Sequence, residues 1–128
     1  MKKRIISTDE APKAIGPYSQ AVRVGDLVFL SGQIPLDPKS GQMIAGDVVA
    51  QARQVMENLG AVLRASDASF GEVVRSTIYL TDLGDFAKVN EVYGSYFPNE
   101  PPARATVQVA ALPRGAAVEI DMIAHIGA

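Results

Sequence analysis

The chain has 128 residues, of which 48% are apolar and 20% charged, a length and composition that predict one globular domain over residues 1–128. Twelve basic and fourteen acidic side chains give a net charge of −2. This balance argues against a dedicated nucleic-acid-binding protein, because such proteins usually carry a basic face. The sequence has no cysteine and one histidine, His125, so disulfides and a thiol nucleophile are excluded and a histidine-based metal site is not expected.

The amino-terminal segment starts with the basic residues Lys2, Lys3 and Arg4, like the charged part of a secretion signal. Acidic Asp9 and Glu10 follow before any apolar segment of signal-peptide length can form. No apolar run in the sequence has the length of a membrane span. We therefore expect a cytoplasmic protein that does not contact membranes.

Hydrophobic periodicity predicts a series of strands interrupted by two helices. Strands are expected at 3–7, 18–24 and 27–31, with the last two joined as a hairpin by Gly25-Asp26. The clearest helix runs over 47–65, where apolar residues recur every three or four positions. A strand at 72–80 precedes a second helix, which begins at Asp82 or Asp85 and ends before Pro98. A strand around Arg104 and a last strand at 117–126 complete the chain.

About six strands and two helices predict a sheet with both helices on one face. The strand at 27–30 is apolar on both sides, which implies that its second face is also covered. No further segment of the chain is left to cover it. We therefore expect copies of the chain to associate through the open face, in a ring that places clefts between neighbouring sheets.

The strand after Pro101-Pro102 alternates in polarity, with Arg104, Thr106 and Gln108 on one side. Arginine at the start of a strand, followed by a hydroxyl on the same face, is suited to a carboxylate because its planar fork donates two parallel hydrogen bonds. The alternative interpretation is a solvated arginine at a strand edge.

Glu119 and Asp121 share one face of the last strand. A carboxylate beside a bound water suits the hydrolysis of an imine or enamine, because proton transfers accompany water addition and ammonia loss. The alternative is a polar strand face in solvent. If the Arg104 and Glu119 strands formed a simple hairpin, Arg104 would lie roughly 13 Å along the strands from the partner of Glu119. Direct contact would then need another pairing or another subunit.

Four further residues are candidates for a pocket, each with a structural alternative. Tyr18 follows Gly16-Pro17, where its phenol can close a pocket or simply pack. Ser31 and Gly32 end an apolar strand, where glycine can admit a ligand or form an ordinary turn with a locally bonded serine. Asn90 borders the apolar stripe of the second helix, and holding a nearby loop is favoured over substrate contact.

These pieces together resemble the RidA/YjgF family over essentially the full length of the chain. The matching motifs, in order, are 14–20 (AIGPYSQ), 31–35 (SGQIP), 51–54 (QARQ), 81–83 (TDL) with Phe86 and Val89-Asn90, 102–104 (PAR) and 118–120 (VEI). Six motifs in the right order are far more specific than any one of them.

The resemblance implies a chorismate-mutase-like α+β fold, with a mostly antiparallel sheet, and a homotrimer with three intersubunit clefts. It implies hydrolysis of 2-aminoacrylate-type enamines and their imines to 2-keto acids and ammonia, with no cofactor and no metal. By motif, Arg104 would clamp the substrate carboxylate and Glu119 would position or activate the water. The residues lining or bordering the pocket would be Tyr18, Ser31, Gly32, Asn90 and Thr106. Many members carry cysteine where this chain has Thr106, so its substrate preference can differ.

Two other functions compete with the deaminase. The same clefts would suit a non-catalytic sensor of small carboxylates. A protein- or RNA-directed role is the third, since family members have been described as ribonucleases, although the acidic balance counts against RNA.

Overall fold

The computed structural model describes residues 2–127, in which six strands and two α-helices form the framework. The strands are β1 (Arg4–Ile6), β2 (Ala21–Val24), β3 (Leu27–Gln33), β4 (Val73–Leu80), β5 (Ala103–Gln108) and β6 (Val118–His125), and the helices are α1 (Val48–Ala65) and α2 (Phe86–Gly94). Within these residues, no helix is long and apolar enough to cross a bilayer.

The strands form one sheet in the order β1-β2-β3-β6-β4-β5. Every neighbouring pair is antiparallel except β4 and β5, which are parallel because α2 carries the chain back between them. The predicted α+β fold with a mostly antiparallel sheet is therefore confirmed. The simple hairpin considered for the Arg104 and Glu119 strands is wrong, since β4 separates β5 from β6.

Helix α1 matches its prediction, and α2 is shorter than expected. Asp47 caps α1, its Oδ1 accepting a hydrogen bond of 3.0 Å from the backbone N–H of Ala50. Asp82 caps only a short 3₁₀ turn before α2, and α2 ends at Gly94, short of Pro98. Phe97 lies beyond the helix but still packs in the core against Tyr93, with ring centres 4.8 Å apart.

The face of the sheet opposite the helices carries exposed apolar side chains on β1, β3 and β5. Strand β3 alternates strictly there, with Val28 and Leu30 buried against the helices and Leu27 and Phe29 38% and 43% exposed. Ile5 and Val107 extend this surface on the two edge strands. Within one chain, the second face of β3 is thus left uncovered, as the sequence predicted.

Candidate active site

A cavity of about 550 Å³ opens where the loops after β1 and β3 meet the start of β6. Its walls are largely apolar and include Ile15, Ile34 and Leu36, while Glu119 supplies a carboxylate. Pockets with apolar walls and a few polar groups are typical of small-molecule sites. We therefore take this cavity as one part of the candidate site.

Two buried amide side chains hold the walls of this cavity. Gln20 accepts a hydrogen bond from the N–H of Thr8 (2.7 Å) and donates to the carbonyl of Pro12 (2.8 Å), which fixes the first loop. Asn58 on α1 donates to the carbonyls of Ile34 and Leu36, at 3.3 and 3.0 Å, which fixes the second. Hydrogen bonds from these two amide side chains to loop backbone therefore shape the cavity. The amino-acid composition of the loops does not predict these bonds.

Glu119 is half-buried on the open face of β6, and its pKa is raised above the ordinary value of 4.5. Burial is the larger cause, because it disfavours the charged form, and the negative charge of Asp121 adds to it. The Asp121 carboxylate accepts a hydrogen bond of 3.0 Å from the hydroxyl of Tyr79. The paired carboxylates predicted on this strand are thus neighbours, and Glu119 is poised to exchange protons nearer neutrality.

Gly32 is required by the position of Glu119. Strand β3 continues past Ser31, where the sequence analysis ended it, to Gln33, with a bulge that breaks the register between Leu30 and Gln33. A Cβ atom on Gly32 would overlap the Glu119 carboxylate. The glycine therefore makes room for an acidic side chain at the wall of the cavity.

Tyr18 and Ser31 both line the cavity. Tyr18 is exposed, and its hydroxyl oxygen accepts a long hydrogen bond of 3.4 Å from the N–H of Ile15. Ser31 donates its hydroxyl hydrogen to the carbonyl of Ser19 at 2.5 Å. Ser31 thus has the local bond of the structural alternative, whereas the Tyr18 hydroxyl hydrogen remains available to a ligand.

Arg104 lies elsewhere, on β5 beneath α2. Its Nη1 donates a hydrogen bond of 2.7 Å to the amide oxygen of Asn90. The guanidinium carbon lies 5.6 Å from the centre of the Phe86 ring and 5.1 Å from that of Tyr93. Asn90 therefore orients Arg104, which corrects the expectation that it holds a loop.

Thr106 follows Arg104 on the same face and borders the same space under α2 as Arg104 and Asn90. Its hydroxyl oxygen is buried and has no hydrogen-bond partner within the described part of the chain. A buried hydroxyl without a partner is costly and usually has a functional or structural reason. Among the described residues, the Thr106 hydroxyl therefore lies unpaired in the row that follows Arg104 on this face of β5.

The residues around Glu119 and the residues around Arg104 form two groups, which lie on opposite faces of the sheet. Arg104 is in register with buried Ser76, which in turn is opposite buried Met122, so this row faces the helices. Glu119 is opposite Tyr79, and this row faces the open side. The rows are three residues, or about 10 Å, apart along β6. One copy of the chain therefore cannot bring both side chains onto one small molecule.

Several side chains around the two groups were not identified from the sequence. The sequence analysis names Phe86 only as part of a matching motif and does not single out Tyr93, although their spacing from Asn90 places all three on one side of α2. Arg114 lines the cavity and donates a 3.1 Å hydrogen bond to the carbonyl of Gly41. The positive φ of 58° at Arg114 could not have been inferred from its residue type.

Between residues 2 and 127, no group of three or more histidine, aspartate or glutamate side chains is arranged to hold a metal ion. The residues around Arg104 and Glu119 supply a guanidinium, a hydroxyl and a carboxylate. A guanidinium and a free hydroxyl can bind an anion, while a carboxylate of raised pKa can move protons.

Comparisons with known proteins cover nearly the whole chain. A family model described as endoribonuclease L-PSP matches residues 8–126. The chain is 69% identical to Protein DfrA of Myxococcus xanthus, over 97% of this chain and 96% of that protein. It is 53% identical to the 2-iminobutanoate/2-iminopropanoate deaminase of Mus musculus, over 98% of this chain and 93% of that one.

Solved structures agree with the sequence relatives. RidA from an Antarctic Psychrobacter superposes with a TM-score of 0.93 at 49% identity, covering 96% of this chain and 99% of that one. Escherichia coli TdcF with bound serine gives 0.92 at 46% identity, covering 97% and 99%. Motifs, fold and relatives converge, and the chain belongs to the Rid/YjgF/L-PSP family.

Proposed function

We propose that the protein is an imine deaminase that hydrolyses 2-aminoacrylate-type enamines and their imines, 2-iminopropanoate and 2-iminobutanoate, to 2-keto acids and ammonia. The observation that carries the proposal is the position of Glu119, a half-buried carboxylate of raised pKa at the wall of an apolar cavity. The name of the mouse relative, at 53% identity, supports the same reaction.

The proposed reaction needs a carboxylate clamp and a proton carrier. Arg104 binds the substrate carboxylate through its free N–H groups, and the Thr106 hydroxyl donates a further hydrogen bond. Glu119 takes a proton from water as the oxygen adds to the C=N carbon and delivers it to nitrogen, which gives a carbinolamine. Glu119 then moves the proton of the carbinolamine hydroxyl to nitrogen as the C–N bond breaks, which leaves the C=O of the 2-keto acid and releases ammonia. The apolar walls, with Tyr18 at the mouth, limit competing water, and Gly32 admits the carboxylate.

A complete site then needs two copies of the chain, because Arg104 and Glu119 face opposite sides of one sheet. We infer that copies associate through the open apolar face that contains Phe29 and Val107. A closed ring repeats one interface and places a complete cleft between each pair of neighbours. The number three, a homotrimer, rests on the family resemblance. The cytoplasmic location and the independence from cofactors likewise remain predictions from the sequence.

Release of keto acid from an imine generated in place tests the function. A threonine dehydratase supplies the imine, and 2-oxobutanoate formation above the spontaneous rate is followed with the wild type and with Arg104→Ala. A charge-assisted hydrogen bond contributes about 1.5–3 kcal/mol, so kcat/KM should fall roughly 10- to 150-fold. Arg53→Ala, which removes an exposed arginine from α1, is the matched control and should leave the rate unchanged.

Other outcomes favour the competing functions. Binding of 2-oxobutanoate by the wild type with no acceleration of imine hydrolysis would favour a carboxylate sensor. The family description also names an endoribonuclease, so RNA cleavage is measured in parallel. Cleavage that survives both Arg104→Ala and Glu119→Gln would favour an RNA-directed role at a different surface.

A further inference from the structure

Three side chains of α2 contact the guanidinium of Arg104. Phe86, Asn90 and Tyr93 follow one another at spacings of four and three, so they form a single stripe on the helix. The two rings lie 5.6 and 5.1 Å from the guanidinium carbon, and the Asn90 amide oxygen accepts its hydrogen bond at 2.7 Å. One helix therefore supplies the whole cradle of the arginine head.

Tyr93 is the member of this cradle that is fixed to the sheet. Its side chain is only 4% exposed, and its hydroxyl donates a hydrogen bond of 2.9 Å to Ser76 Oγ. Ser76 is completely buried on β4 and is in register with Arg104 on β5. Burial raises the pKa of Tyr93, so the phenol stays protonated and keeps this bond. The ring thus has one orientation relative to the strand that carries Arg104.

The cradle orients Arg104 without neutralising its charge. Two aromatic rings and an amide oxygen are uncharged, whereas an aspartate or glutamate in the same place would compete with a substrate carboxylate for the guanidinium. The space beyond the arginine, bordered by Pro101 and Pro102, has a volume of about 460 Å³. The charge is therefore held on the wall of an open space large enough for a small anion.

We propose that Tyr93 is a positioning residue, whose ring, held by Ser76, fixes the plane of the Arg104 guanidinium for a planar carboxylate. The inference rests on the proposed role of Arg104 in binding the imino acid. Tyr93 acts through Arg104 and does not touch the reacting carbon, so its loss should weaken substrate binding more than it slows the chemical step.

The size of the effect follows from the ring contact. A cation–π contact contributes a factor of about 2 to 30 in affinity, depending on how far the cation is desolvated. Tyr93→Leu should therefore raise KM, and the Kd for 2-oxobutanoate, by about 2- to 30-fold, with kcat within about 2-fold of the wild type. Tyr96→Leu is the matched control, because Tyr96 packs on Phe70 and bonds Glu57 instead of contacting Arg104.

Two milder variants decide the question if Tyr93→Leu does not fold. Tyr93→Phe and Ser76→Ala each remove the same hydroxyl–hydroxyl bond and leave the ring in place. Each should raise KM about 2-fold or more, and the double variant should be no worse than either single one, because they break one interaction.

Calorimetric titration with 2-oxobutanoate and steady-state kinetics in the dehydratase-coupled assay provide the measurements, with Tm recorded for every variant. Unchanged Kd and KM in folded Tyr93→Leu, or in both milder variants, would overturn the positioning role while leaving the deaminase intact. Equal losses in Tyr93→Leu and Tyr96→Leu would also overturn it, since they would trace the effect to general packing. A wild type that neither binds 2-oxobutanoate nor accelerates hydrolysis would refute the deaminase and this inference with it.

Discussion

Mixed oligomers of two impaired variants should recover activity. Arg104→Ala removes the proposed carboxylate clamp, and Glu119→Gln removes the proposed proton carrier, so each variant by itself should retain only a small residual activity. The two side chains face opposite sides of one sheet and are separated by about 10 Å along the strands. If each active site takes Arg104 from one copy and Glu119 from its neighbour, a mixed oligomer contains some sites with both native residues.

The expected recovery follows from that geometry. In a ring built at random from equal amounts of both variants, a site is native when its arginine donor carries Glu119→Gln and its neighbour carries Arg104→Ala. Each condition holds for half of the subunits, so about one quarter of the sites are native, whatever the number of subunits in a closed ring. Activity per subunit should therefore reach about 25% of the wild type.

The assay compares the co-expressed variants with each variant expressed separately and then mixed without subunit exchange. Keto-acid release is followed in the dehydratase-coupled system. The unexchanged mixture should remain at the level of the single variants, which controls for residual activity. Mass spectrometry shows whether the co-expressed oligomers contain both variants. If such mixed oligomers recover no activity, the shared site is refuted, because one chain would then supply both groups.

Three further changes probe the carboxylate and the open face. Gly32→Ala should displace the Glu119 carboxylate that its new Cβ overlaps, reducing kcat by up to about 10²- to 10⁴-fold with little change in Tm; full activity would contradict this packing. Asp121→Asn removes a like charge, so the pKa of Glu119 should fall, and the limb of the pH–rate profile that Glu119 governs should move to lower pH; an unmoved limb would show that Asp121 does not act on Glu119. The pKa of Glu119 should still stay above its ordinary value in this variant, since burial is the larger cause of the shift. Phe29→Asp places a charge on the open apolar face and should yield a smaller, folded and inactive species in analytical ultracentrifugation, whereas an unchanged oligomer would exclude that face as the interface.

Local patterns were sufficient to find the helices and strands, although not every boundary. The apolar repeat from Val48 to Ala65 and the Asp47 cap defined α1, because helix periodicity and capping depend on neighbours in sequence. The alternation in β6, with Val118 and Ile120 buried and Glu119 between them half-buried, was likewise visible beforehand. The α2 prediction failed at its end, since Phe97 continues the apolar stripe after the helix has stopped at Gly94.

The candidate residues were found by motif, but their grouping was not. The spacing of Arg104, Asn90 and Tyr93 in the sequence does not predict that the Tyr93 ring and the Asn90 amide contact the guanidinium. These contacts depend on how α2 crosses β5. The buried amides Gln20 and Asn58, which shape the cavity, have no local signature either, since each bonds backbone from a distant loop.

The sequence by itself determined the family, the elements and the presence of an arginine and a glutamate suited to an imino acid, because these depend on local pattern and motif. Only the tertiary structure decided that the two lie on opposite faces. The helix between β4 and β5 makes those strands parallel neighbours, and the segment 109–117 then carries the chain across to place β6 between β3 and β4. Strand order is set by long-range packing, so it fixes which side chains can share a substrate.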